Sequence, residues 1–124
     1  MIESHLVKIA TTGSAGSATG SAVVALPPCE LVALHLDYNA SAPGATTDVT
    51  FTAIGGDQAD VTVMTRSNSA TDGWFYPKVQ KHDSSAAAIT GDYADPPIHN
   101  NLLIAVAQSN ALSPCVTVLV LVRV

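Results

Sequence analysis

A chain of 124 residues fits one domain spanning 1–124 and leaves no room for a second of ordinary size. Hydrophobic residues make up 48% and charged residues only 12%, about half the usual charged share of roughly 25%, which excludes an acidic disordered tail or a coiled coil. The longest apolar runs reach about seven residues, far short of a membrane helix, and a net charge of −5 with five Lys and Arg in all excludes a nucleic-acid groove.

The start, Met1 to His5, has no basic region followed by an apolar one, so it reads as a chain made in the cytoplasm without a secretory leader. Period-two alternation, the mark of strands, then recurs along nearly the whole sequence. Two weaker strands are predicted at about 4–12 and 21–26. The Gly/Ser/Ala-rich stretch 13–20 between them reads as a flexible loop, so 1–20 are expected to be partly mobile. Pro27 and Pro28 end the second strand, because proline cannot donate to a ladder.

The segment 30–38 alternates clearly. Val32, Leu34, Leu36 and Tyr38 take one face; Ala33, His35 and Asp37 take the other. Alternation returns at 48–53 and 60–66, around Gly55, Gly56 and Asp57, which supply the positive φ angles of a hairpin turn. These three segments predict an antiparallel meander.

A further strand is predicted at 74–82, where Pro77 demotes it to an edge or a bulge. In this strand Trp74 and Tyr76 share one face, and Phe75 and Val79 the other. Either Phe75 is core and the other two face a subunit or a sugar, or Trp74, the chain's one tryptophan, is the core residue. The second assignment is preferred here. Residues 83–97 read as a long irregular connection with room for one helical turn at 84–89. Two strands close the chain at about 98–108 and 115–124. The last, through Val116, Val118, Val120 and Val122, is apolar on both faces, so it is either central and covered twice or meets another chain. About eight strands with short polar turns predict an all-β antiparallel β-sandwich of jelly-roll or immunoglobulin-like topology.

Chemistry is scarce. No Gly-x-Ser-x-Gly elbow supports a Ser-His-Asp triad. His82 and Asp83 are adjacent, but neighbours on a strand point to opposite faces. His35 reads as a polar-face residue, His99 as a loop pin, and His5 as part of a mobile terminal strand. Asp57, Asp60, Asp92 and Asp95 sit in or beside turns, where Asp commonly bonds its own backbone. The run 91–95 lacks the spacing of a calcium loop. Cys29 and Cys115 have no zinc spacing; they are either a disulfide or, as a reducing compartment favours, two small buried hydrophobes. The sequence therefore predicts no enzyme, no cofactor and no metal. A surface so poor in charge is instead expected to be covered in the working state.

Residues 71–83, from Thr71 through Trp74 and Tyr76 to Asp83, together with 88–91 and His99, resemble small virion proteins of tailed bacteriophages. Residues 36–39 and 45–50 add to the likeness, which spans roughly 30–124. Within that group the chain is similar to head decoration, or cement, proteins. The resemblance implies a compact non-enzymatic β domain that binds the outside of the expanded capsid. Its implied partners are the major capsid protein and copies of itself, often as a trimer, with the virion surface as its location. No binding residue transfers with it. From the sequence itself the candidate contact residues are Trp74, Tyr76, Tyr38, Val118, Val120 and Val122.

Overall fold

In a computed structural model that describes residues 1–41, 43–55 and 59–124, the alternation becomes eleven strands. They are β1 (Ile2–Ile9), β2 (Ala18–Ala25), β3 (Cys29–Tyr38), β4 (Asp48–Ile54), β5 (Val61–Arg66), β6 (Gly73–Phe75), β7 (Val79–His82), β8 (Ala88–Ala94), β9 (Pro97–Ile98), β10 (Asn101–Ser109) and β11 (Val116–Arg123). One sheet runs β1-β11-β3-β6, with β9 also paired to β3; the second runs β2-β10-β4-β5; β7 and β8 form a separate two-stranded ribbon. All strand pairs are antiparallel.

The two inner faces make one core. Leu31, Leu34, Leu36 and the four valines 116, 118, 120 and 122 from the first sheet meet Val24, Val49, Phe51, Leu102, Ile104 and Val106 from the second. Period-two patterning decides most of this, since each strand puts alternate side chains inside; in β3 a register shift against β11, between Leu121 and Val122, breaks the alternation, so Leu31 is core where Val32 was expected. Burial in β11 alternates without a break from Val116 to Val122.

Three expectations change. The predicted meander does not form: β4 and β5 pair as a hairpin, but β3 lies in the other sheet, between β11 and the short strands β6 and β9. Gly55 has the positive φ (93°) that the turn was expected to need, while Gly56, Asp57 and Gln58 lie outside the described residues. The strand predicted at 74–82 is two strands split at Tyr76–Lys78, with β6 on the edge of the first sheet and β7 in the ribbon. The connection at 83–97 contains β8. Its hairpin turn is built on Asp83, whose Oδ1 accepts from the backbone N–H of Ser85 (2.8 Å) and Ala87 (3.1 Å), and Ala86 takes φ 63°. Asp bonding its own turn, rather than an alanine-driven helix, decides that segment.

The first twenty residues are also more ordered than low complexity implies. β1 pairs with β11 along its length, and Thr12 and Thr19 exchange backbone bonds of 2.9 and 3.0 Å across the intervening loop. Thr11 Oγ1 donates to the Asn110 carbonyl at 2.6 Å. Both cysteines are free. Cys29 begins β3, paired with Ile98, while the Cys115 carbonyl accepts from Asn39 just past the strand's other end; ten residues of strand hold them about 30 Å apart. Cys115 Sγ sits 3.3 Å from Ser109 Oγ.

Candidate functional site

The feature most suited to recognition is the outer face of the first sheet. Leu6 of β1 pairs with Leu119 of β11, Leu119 with His35 of β3, and His35 with Trp74 of β6, so four side chains form one row across four strands. Leu6 is 64% exposed and Trp74 47%, whereas Leu119 and His35 are half-buried. The His35 and Trp74 rings lie 4.8 Å apart at 54°, which holds the indole against the strand. The next row along pairs Ser4, Leu121 and Ala33, of which Ala33 is buried and offers no surface. Charges flank both rows: Lys8, Thr117 and Asp37 align on one side, and Arg123 and Glu30, 3.7 Å apart, on the other. An apolar centre with a charged rim is the anatomy of a protein-binding patch.

The structure separates the predicted contact residues. Trp74 and Tyr76 (61%) are exposed, and Phe75 packs against the core, so the assignment of Trp74 as core tryptophan is overturned. β6 is the outermost strand of its sheet, and only its inward Phe75 reaches the interior. Val118, Val120 and Val122 are fully buried and Tyr38 is 5% exposed; all four belong to the core and offer a partner nothing. The outward side of β11 is Thr117, Leu119 and Leu121. Leu6 and Leu119 were missed because the register that aligns them with Trp74 is tertiary. The one sequence signal for them was that the last strand is apolar on both faces.

Elsewhere the geometry serves structure. Asp95, 12% exposed at its side chain, takes an ion pair from Lys78 and another from Arg123 (3.0 Å), tying the ribbon's base to the end of β11. Chiefly the Lys78 hydrogen bond, with help from Arg123 and against partial burial, holds the Asp95 carboxyl below its ordinary range. Burial pushes the Cys29 thiol up, with Glu3 adding to it, so Cys29 stays a poor nucleophile at neutral pH. It lines an apolar cleft of about 660 Å³ with Val61, Val63, Val79 and Ile98. Burial drives the Tyr38 phenol up to about 12, and its hydroxyl has no hydrogen-bond partner among the described residues. His82 is exposed at the end of β7, and the Asp83 beside it is spent on the turn. His5 sits in paired β1, 3.5 Å from Glu3. Among the described residues no group of three or more His, Cys, Asp or Glu is placed to hold a metal ion.

No protein-family model and no curated protein matches the chain. Among solved structures it is similar to a mutant of CBM29-2, a family 29 carbohydrate-binding module, at 11% identity and a TM-score of 0.39, over 98% of this chain and 80% of that one. A likeness that slight carries no weight for the ligand.

Proposed function

We propose that this chain is a non-enzymatic structural virion protein that binds the outside of a tailed-phage capsid as a homo-oligomer and stabilises it. The observation behind this reading is the row Leu6–Leu119–His35–Trp74, a solvent-facing apolar strip with charged flanks. Of the residues that carry the resemblance to decoration proteins, 71–83 and 88–91, Trp74 in β6 belongs to that row. Repeating a modest contact on each copy of an oligomer raises the effective concentration of the rest, so a patch of this size holds on a symmetric shell.

The test is pelleting of purified protein with expanded capsids, wild type against a Trp74→Ser, Leu119→Thr double variant. Loss of the two apolar side chains should weaken capsid binding by about tenfold or more, with the fold intact by circular dichroism. Equal binding by the variant would remove this face from the interaction. A second reading, a carbohydrate-binding module, draws on the exposed Trp74 and Tyr76 as a stacking platform. Binding to a glycan array that is lost in Trp74→Ala would favour it. Co-purification with tails instead of heads would move the protein to another part of the virion.

A further inference from the structure

A sandwich exposes the outermost strands of its sheets, and soluble proteins blunt such edges with charge, proline, bulges or brevity. Three edges here are blunted. β1 turns Glu3 and His5 toward the interior and carries Lys8 outside. β5 carries Arg66, and its pairing with β4 shifts register between Phe51 and Thr52. The far side of the first sheet ends in β6, of three residues, and β9, of two with Pro97.

β2 has no charge or proline, and its one register shift against β10, between Val106 and Ser109, falls at its start, outside the stretch from Ser21 to Ala25. It pairs with β10 in unbroken register from Gly20 to Ala25. Its first residues are covered on the free side: Thr12 bonds Thr19, and Gly20 lies under the Ala10 carbonyl. From Ser21 to Ala25, β10 is the only strand bonded to it among the described residues. In the middle of that bare segment stands Val23, 55% exposed. A β-branched apolar residue at the centre of an uncharged edge is a template for another strand.

Charge indicates which strand. The chain carries a net −5, so two copies repel wherever their acidic surfaces meet, yet nothing on this edge repels its own image. Arranged about a two-fold axis at Val23, Val23 of one copy faces Val23 of the other, Ala22 faces Val24, and Ser21 faces Ala25. Leu103 flanks Val23 on β10, Ala105 flanks Ser21 and Asn101 flanks Ala25, so no charge lies next to the seam on the outer surface. Five facing residues supply about four to six main-chain hydrogen bonds. The Val23 pair, beside Leu103 of each copy, makes an apolar row across the join. We propose that the β2 edge is a homodimer interface, which fuses the two second sheets into one continuous antiparallel sheet. Such a contact is isologous and closes at two copies. It stands apart from the capsid reading and sets the stoichiometry at two rather than the three implied by resemblance.

The test is the mass in solution by light scattering across a concentration series, for wild type, Val23→Lys and Val23→Thr. Wild type should run at twice the chain mass of 12.7 kDa. Val23→Lys sets two like charges face to face and should weaken the dimer about tenfold or more, while Val23→Thr, which keeps strand propensity and no charge, should stay within about threefold of wild type. Lysine is a normal residue on an exposed edge, and an unchanged circular dichroism spectrum confirms the fold. Val23→Cys should form a cross-linked dimer under mild oxidation, because a facing pair has the Cα spacing of a disulfide. A wild-type monomer at all concentrations, a trimer, or a dimer unmoved by Val23→Lys would overturn the interface. Capsid pelleting of the same samples keeps the claims apart: a dimer that ignores capsids defeats only the capsid reading, and a capsid-binding trimer defeats only the β2 edge.

Discussion

Gly20→Ala is the substitution whose cost the structure states most directly. A Cβ at position 20 would lie 2.0 Å from the Ala10 carbonyl oxygen, where real Cβ atoms essentially never come under 3.0 Å. Backbone must therefore move by about 1 Å, and the neighbour in the way is another piece of backbone, not a flexible side chain. The movement falls on the corner where Thr12 and Thr19 bond at 2.9 and 3.0 Å, and both bonds stretch out of range. Two lost hydrogen bonds at about 1 kcal/mol each, with overpacking of about 1–3 kcal/mol, give a destabilisation of about 3–5 kcal/mol. In thermal melts that is a fall of about 10 °C or more. Urea denaturation gives the free energy directly. Gly73→Ala is the matched control, since its Cβ meets only Phe75 ring carbons at 3.5 and 3.6 Å, an ordinary contact, and it should cost less than about 1 kcal/mol. A Gly20→Ala protein within about 1 kcal/mol of wild type would refute the close packing of β2 against the segment that leaves β1.

Tyr38→Phe should be neutral or stabilising by up to about 1 kcal/mol, because it removes a buried hydroxyl that has no partner among the described residues; a clear loss in urea denaturation would show that the hydroxyl is bonded. Burial disfavours the phenolate and raises the same group from 10.0 to about 12 in the fold, so its ionisation costs no stability below pH 10 and costs stability increasingly as pH rises from 10 to 12. Tyr38→Phe should therefore flatten the alkaline fall in stability over that window. Asp95 has the opposite sign. Its lowered value, set first by the Lys78 hydrogen bond, makes its share complete above the ordinary carboxylate range and lost as pH falls through the folded value. Asp95→Asn should thus be less stable than wild type at neutral pH and approach it in acid, and a gap that stays constant down to about pH 2 would contradict the ion pairs.

Where alternation was strict the sequence told the fold plainly. β3, β4, β10 and β11 lie close to their predicted places, and their core valines and leucines follow from period two except in β3, where the register shift brings Leu31 inside in place of Val32. Partnership was less legible. That β3 would leave β4 and pair with β11 depends on side-chain packing across the sandwich, and no local signal carries it. Gly20 ends a stretch that reads as a flexible loop, and only the approach of Ala10 explains a glycine there. The surface row was half visible. Trp74 and Tyr76 stood out by type, but which of Trp74 and Phe75 turned inward depended on β6 lying at an edge. Val118, Val120 and Val122 drew attention as an apolar run, and their strand's useful outward residue proved to be Leu119. The low charge acquires a location as well: the β2–β10 part of the second sheet's outer surface carries none.

The most direct measurement is a three-dimensional map of tailed-phage particles with expanded capsids mixed with this protein, resolved well enough to place a 12.7 kDa sandwich. The account predicts density for it on the outer capsid surface, with the Leu6–Trp74 face against the shell. Density confined to the tail or neck, or none on the particle at all, would contradict it.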